Sequence, residues 1–257
     1  MNFIRTWAIS KHVFLELLRE RLLYLAGLYA IGLVAGGALI TEVAAATENK
    51  IITDFGLAMM LIFGLVIVIF TTPNLLAREV EKRTIFIVIA KPISRLELVV
   101  GKHLGLLGAL TLLLLVMAGL YLGYLSILKI AYPLVPVLTA VGFMLIEFAL
   151  LTAAALLFSI FTSPLIAIFL TLATFFMGHL SSDVITLGRV IRNPQLLAVL
   201  KGFFLVVPDL SRLDLKNTAV YGLLPDAGVL LASVVYGILY TVFLLALTVF
   251  IFARREF

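Results

Sequence analysis

Residues 78–103 read REVEKRTIFIVIAKPISRLELVVGKH, a densely charged stretch in a chain otherwise poor in charge, with long apolar runs on both sides. Its apolar centre, Thr84 to Ala90, falls far short of the roughly 20 residues a helix needs to cross a hydrocarbon core of about 30 Å. The stretch therefore reads as a loop between two membrane spans. Composition extends that reading to the whole chain. With 63% hydrophobic residues, 13% charged residues and a mean hydropathy of +1.23 over 257 residues, it is too apolar for a soluble domain. Lipid offers no partners to backbone N–H and C=O groups, so the expected fold is an all-α polytopic membrane protein.

Uncharged runs at Leu22–Ile40, Phe55–Ala77, Leu104–Leu128 and Ala227–Ala253 are each long enough to span. Between Pro133 and Ser182 the apolar stretch is too long for one crossing. Thr162-Ser163-Pro164 divides it, because proline disfavours helix in the residue before it. Spans over Pro133–Phe161 and Leu165–Ser182 bring the number to six, in a single transmembrane domain covering 1–257. With both termini in the cytoplasm, twelve Lys and Arg fall inside and seven outside, five of the seven in one long segment where the positive-inside rule is weak. A multi-pass plasma (inner) membrane protein with cytoplasmic termini is the expectation. Residues 1–21 form an interfacial helix: Phe3, Ile4, Trp7, Phe14, Leu15 and Leu18 share one face, opposed by Arg5, His12, Glu16, Arg19 and Glu20, while Lys11 must snorkel. No small-residue cleavage site follows a short apolar region, so no signal peptide is expected.

The segment 183–226 before the last span is the other unusual region. Pro194 to Pro208 is only about 22 Å long if helical, short of a full crossing, so a re-entrant or interfacial outer helix is expected there. A seventh span would also place Arg254 and Arg255 on the wrong side. Small-xxx-small pairs at Gly32/Gly36 and Gly119/Gly123 suggest close helix packing within one subunit.

Several chemistries are excluded. Without cysteine there is no thiolate metal site, disulfide or cysteine nucleophile. His12, His103 and His179 sit on different segments, so spacing assembles no metal site and no catalytic residue is assigned. His179-Leu180-Ser181-Ser182-Asp183 reads as polar residues at the outer end of the fifth span, not as a hydrolase site. No phosphate-binding G-x-x-x-x-G-K-[ST] loop occurs, so no cofactor is expected on this chain and any ATP would be used elsewhere. The net charge of +5 is accounted for by membrane topology, and no nucleic-acid partner is inferred. Glu147 stands alone near the middle of the fourth span. A central carboxylate costs about 2.5–3.5 kcal/mol on insertion scales, so it should face protein or water, lining a translocation path or bonding a neighbouring span.

Within 78–103, a helix runs out of the membrane through Arg78-Glu79-Val80-Glu81-Lys82-Arg83. A short apolar patch follows, Lys91-Pro92 ends it, and Ser94-Arg95-Leu96-Glu97 opens the next helix with a capping box. Apolar surface rimmed by charge is what a protein partner binds.

Glu79 to Gly105, EVEKRTIFIVIAKPISRLELVVGKHLG, resembles the pattern of acidic residue, threonine, apolar run, Pro-Ile-Ser-Arg and Gly-Lys in permease subunits of the type 2 ATP-binding-cassette exporter family. The amphipathic start, six spans and elaborated outer segment agree with that family's plan over nearly the whole chain. Pro208 to Asn217, PDLSRLDLKN, is similar to an outer-loop sequence in a subset of these permeases, among them the one serving nitrous oxide reductase maturation. The resemblance implies that 78–97 is a cytoplasmic coupling region entering a cleft on a separate nucleotide-binding subunit, present in two copies with ATP and Mg bound there. By the same resemblance Glu79 and Glu81 meet basic groups of the ATPase, Arg83 belongs to the coupling set, and Thr84 to Ala90, with Ile85, Phe86 and Ile87 among them, supply the apolar contact. Lys91 closes the coupling patch, and Pro92, Ile93, Ser94 and Arg95 then turn the chain into the third span. Lys82-Arg83 departs from the small residue many members carry before the threonine. A second copy of the permease, membrane lipid and an accessory protein on the outer face are the other implied partners. The alternatives are an ATP-independent secondary transporter or channel, or a membrane anchor or assembly factor for an ATPase.

Overall fold

The structure, a computed structural model, describes residues 2–19, 23–43, 48–81, 94–190, 202 and 207–254. Eight α-helices and no strand occur among the described residues: α1 (Phe3–Leu17), α2 (Leu23–Val43), α3 (Glu48–Glu81), α4 (Arg95–Ile127), α5 (Leu134–Phe161), α6 (Pro164–Val190), α7 (Lys216–Val220) and α8 (Ala227–Arg254). Six of them, α2 to α6 and α8, are long and apolar enough to cross a membrane, and they coincide with the six apolar runs. The break between α5 and α6 falls at the anticipated place. Thr162 is extended (φ −125°, ψ 169°), and Pro164 takes the first position of α6, where its missing N–H has no intrahelical partner to lose.

At 33 residues, α4 is about 50 Å long, well beyond a 30 Å core. Its first turns therefore stand outside the apolar layer, and Arg95, Glu97 and Lys102 lie there. Centrally placed, α5 packs against α3, α4, α6, α7 and α8. Phe148, Leu150, Leu151 and Leu156 on it are wholly buried. By contrast α2 and α8 are peripheral, with 22% of their span residues buried against 50% in α3, α4 and α5, so most of their apolar surface is left uncovered by the rest of the chain.

The N-terminal helix has three faces, not two. Thr6, Ser10, Val13 and Leu17 are buried against α4, roughly a third of a turn from the apolar face identified by periodicity. Phe3, Ile4 and Trp7 of that apolar face are left uncovered by protein, 62–76% exposed. A third face carries Arg5, His12 and Glu16. Small residues mediate the protein contact because a helix lying across another must bring backbone close to backbone.

Side chains added at Gly32 and Gly36 would collide with Met59 and Phe55 of α3, so this pair packs within the chain as expected. Gly119 and Gly123 are a correction. A Cβ on either meets nothing within 4 Å, and both line an open groove beside Ala30, Leu33 and Val34 of α2.

The outer helix expected over 194–208 falls almost wholly outside the described residues. Within the outer segment, residues 207–220 turn inward. A 3-10 turn (Leu210–Arg212) and α7 bury Leu210, Leu213, Leu215 and Ala219 in the core of the bundle. This seat lies between α3, α5 and α6, at the end of the bundle opposite the N-terminal helix and the start of α4.

Candidate functional site

Two polar constructions stand out, one at each end of the bundle. At the loop end, Ser94 caps α4 from an extended conformation (φ −74°, ψ 150°), its hydroxyl accepting from the Glu97 N–H at 3.1 Å. Glu97 Oε2 accepts in return from the Ser94 N–H at 3.0 Å, completing the capping box that the sequence spacing predicts. The other carboxylate oxygen, Oε1, accepts the main-chain N–H of Asn2 at 2.5 Å, so one side chain ties the starts of α1 and α4 together. Gly101 and Gly105 make room for α1: a Cβ at Gly101 would lie 2.9 Å from the Ile9 side chain, and one at Gly105 2.6 Å from the Ser10 carbonyl oxygen.

Two cations extend the clamp. The Arg95 guanidinium donates to the Phe252 carbonyl of α8 and lies 5.4 Å from the centre of the Phe252 ring. Lys102 Nζ donates to the Leu75 carbonyl of α3 at 2.6 Å. The chain entering α4 from the loop is thus fastened within three turns to α1, α3 and α8. Of the residues implied in coupling, Ser94 and Arg95 belong to this clamp, and Glu79 and Glu81 lie on the last turn of α3. Arg83, Thr84, Ile85, Phe86, Ile87, Lys91 and Pro92 lie outside the described residues.

The second construction reaches down to Glu147, wholly buried midway along α5, roughly 20 Å along the helix axis from Leu134. Neither of its carboxyl oxygens has a hydrogen-bond partner among the described residues. Oε1 faces His179 Nε2 of α6 at 3.5 Å, and the same Nε2 faces Asp214 Oδ2 of the outer segment at 3.7 Å. Asp214 Oδ1 is paired with Lys216 Nζ at 2.9 Å. His179, expected at the outer end of the fifth span as a surface cap, instead points into the bundle, because the outer segment descends to meet it.

Asp209 fastens the same segment at a second point. Its Oδ1 accepts from Ser181 Oγ of α6 at 2.6 Å and from Ser211 Oγ at 2.5 Å, its Oδ2 accepts from Arg212 Nε at 2.9 Å, and its N–H donates to the Tyr236 hydroxyl of α8 at 2.8 Å. Arg212 also lies 5.3 Å from the centre of the Tyr236 ring. Burial pushes the Asp209 carboxyl up, but the three donors together outweigh it and hold the group below its ordinary value of 3.8. Gly178 allows the approach: a Cβ there would come 2.6 Å from Leu210 and 2.7 Å from the Pro208 carbonyl oxygen.

Sequence reasoning singled out Glu147 but not its surroundings. A signal was present in PDLSRLDLKN, where Leu210, Leu213 and Leu215 recur among charges in a segment too short to span; such leucines need burial, and the core that can supply it is the bundle.

The family model for ABC-2 family transporter protein matches residues 9–257, nearly the whole chain. The chain belongs to that family. It is a permease, the integral membrane subunit of an ATP-binding-cassette transporter. No curated protein matches it. In this permease the matched region takes in the seated outer segment and all of the clamp but the start of α1, where Asn2 lies.

Proposed function

We propose that this permease is the membrane half of an ATP-driven exporter in the plasma membrane. Two copies would pair with two copies of a separate ATPase subunit that binds ATP and Mg. The loop 78–97 enters the ATPase from the cytoplasm, where both termini also lie. The observation that carries the reading is the Ser94–Glu97–Asn2 junction together with Arg95 and Lys102. A force applied to the loop by a closing ATPase pair reaches α1, α3, α4 and α8 directly, because all four are bonded within the first turns of α4. A loop serving only topology has no need of such a clamp.

The test is affinity purification from the native membrane of the wild type beside a Glu79→Ala, Glu81→Ala, Ile87→Ala variant, with mass spectrometry of the co-purifying proteins and ATP turnover of the preparation. An ATPase recovered with the wild type and lost from the folded variant supports the coupling reading. An ATPase retained by both, or absent from both, removes the assigned role of the loop. Turnover unaffected by any transported compound would favour an assembly factor instead.

A further inference from the structure

We propose that Glu147 and His179 bind a single proton between them, and that this proton holds the outer segment 209–220 in its seat inside the bundle. The proposal does not depend on the chain being ATP-driven.

The geometry sets the proton inventory. His179 Nδ1 lies 3.1 Å from the Phe175 carbonyl oxygen, which can only accept, so the hydrogen-bond network assigns a proton to Nδ1. Nε2, 3.5 Å from Glu147 Oε1, is then either a lone pair or a second N–H. A lone pair facing a carboxylate leaves two acceptors opposed in a buried site, and neither has a hydrogen-bond partner among the described residues. One proton resolves this, whether it resides on nitrogen or oxygen, and places a hydrogen bond between α5 and α6.

The neighbouring charges do not supply an alternative. From the outer segment, Asp214 and Lys216 face the pair, but they neutralise each other at 2.9 Å. On α8, Tyr236 is engaged with Asp209. On α4, His103 bonds Thr152, lower on α5. On α3, Asp54 interacts with Tyr121. Removing the shared proton therefore leaves a buried carboxylate and a site with one net negative charge, since Asp214 and Lys216 cancel. The cheapest relief is entry of water, and the segment with the least secondary structure to lose is the one carrying Asp214. Protonation and seating are linked in this way.

The cysteine-free chain makes the test direct. Ala219→Cys places a single thiol at a wholly buried position of α7, and Leu223→Cys supplies an exposed reference. Each is reconstituted as full chain in liposomes and labelled with a membrane-impermeant maleimide between pH 6 and 9.5. Dividing by the reference rate corrects for the titration of an exposed thiol, and the same position-219 thiol in the Glu147→Gln background corrects for what its burial adds. The expected result is slow labelling of the Ala219→Cys protein near neutral pH and a rise of about tenfold or more toward the alkaline end, a range equal to about 1.4 kcal/mol per decade. Adding Glu147→Gln, which cannot lose a proton, is expected to leave the thiol at position 219 protected throughout. His179→Gln, a second variant in case the first does not fold, is expected to move the midpoint by about one pH unit or more. A flat profile without either change, an undiminished rise with Glu147→Gln, or an unmoved midpoint with His179→Gln would each overturn the proposal.

Discussion

Glu97 accepts a hydrogen bond from the main chain of Asn2, 95 residues away in sequence, while completing the N-terminal cap of its own helix with Ser94. One carboxylate thereby decides both where α4 begins and where α1 rests. Glu97→Ala should free the start of α1 and expose its first turn to protease, while Ser94→Ala, which removes only the cap, should cost about 1 kcal/mol and leave α1 seated. Limited proteolysis of the two variants beside a thermal melt distinguishes these outcomes.

The glycines of α4 should divide into two classes. Gly105→Ala drives a methyl to within 2.6 Å of the Ser10 carbonyl oxygen and should destabilise the permease by about 1–3 kcal/mol, lifting α1 from α4. Gly119→Ala meets nothing within 4 Å and should be neutral or stabilising by up to about 1 kcal/mol, since alanine favours helix. Thermal denaturation in detergent measures both.

Trp7 is the single tryptophan of the chain and lies on the uncovered apolar face of α1, 62% exposed from protein. Intrinsic fluorescence should therefore be quenched strongly by brominated phospholipid and weakly by aqueous iodide. Strong iodide quenching with no effect of bromolipid would place α1 in water and remove the interfacial assignment.

The Asp209 anchor should respond to acid in a defined direction. Its carboxyl is held below the ordinary 3.8, so its contribution to seating the outer segment is complete above that value and is lost as pH falls below about 4 through the folded-state value. Asp209→Asn should abolish that acid response and loosen the segment at neutral pH, because the ionised acceptor for Ser181, Ser211 and Arg212 is gone. Maleimide labelling of the Ala219→Cys protein between pH 3 and 6, normalised to Leu223→Cys, reads the effect, at the opposite end of the pH scale from the response assigned to Glu147 and His179.

Much of the architecture was legible from local pattern. Six spans, the break at Pro164 and the capping box at Ser94 and Glu97 each follow from residues adjacent in sequence, because hydrocarbon thickness and backbone hydrogen bonding act locally. The amphipathic face of α1 was also visible, but its third face was not. Thr6, Ser10 and Val13 carry no strong hydropathy signal, and their burial depends on Gly101 and Gly105, roughly ninety residues further along the chain.

Glu147 shows the same division within one site. By itself the sequence determined that this chain is a six-span membrane protein with a charged connection within 78–103 and an acid that cannot face lipid, since the cost of a carboxylate in hydrocarbon does not depend on the fold. Only the tertiary structure decided what that acid meets. His179, Asp214 and Lys216 come from a different span and from the outer segment, and they converge because Leu210, Leu213 and Leu215 leave water for the bundle core and carry the charges between them down to α5 and α6.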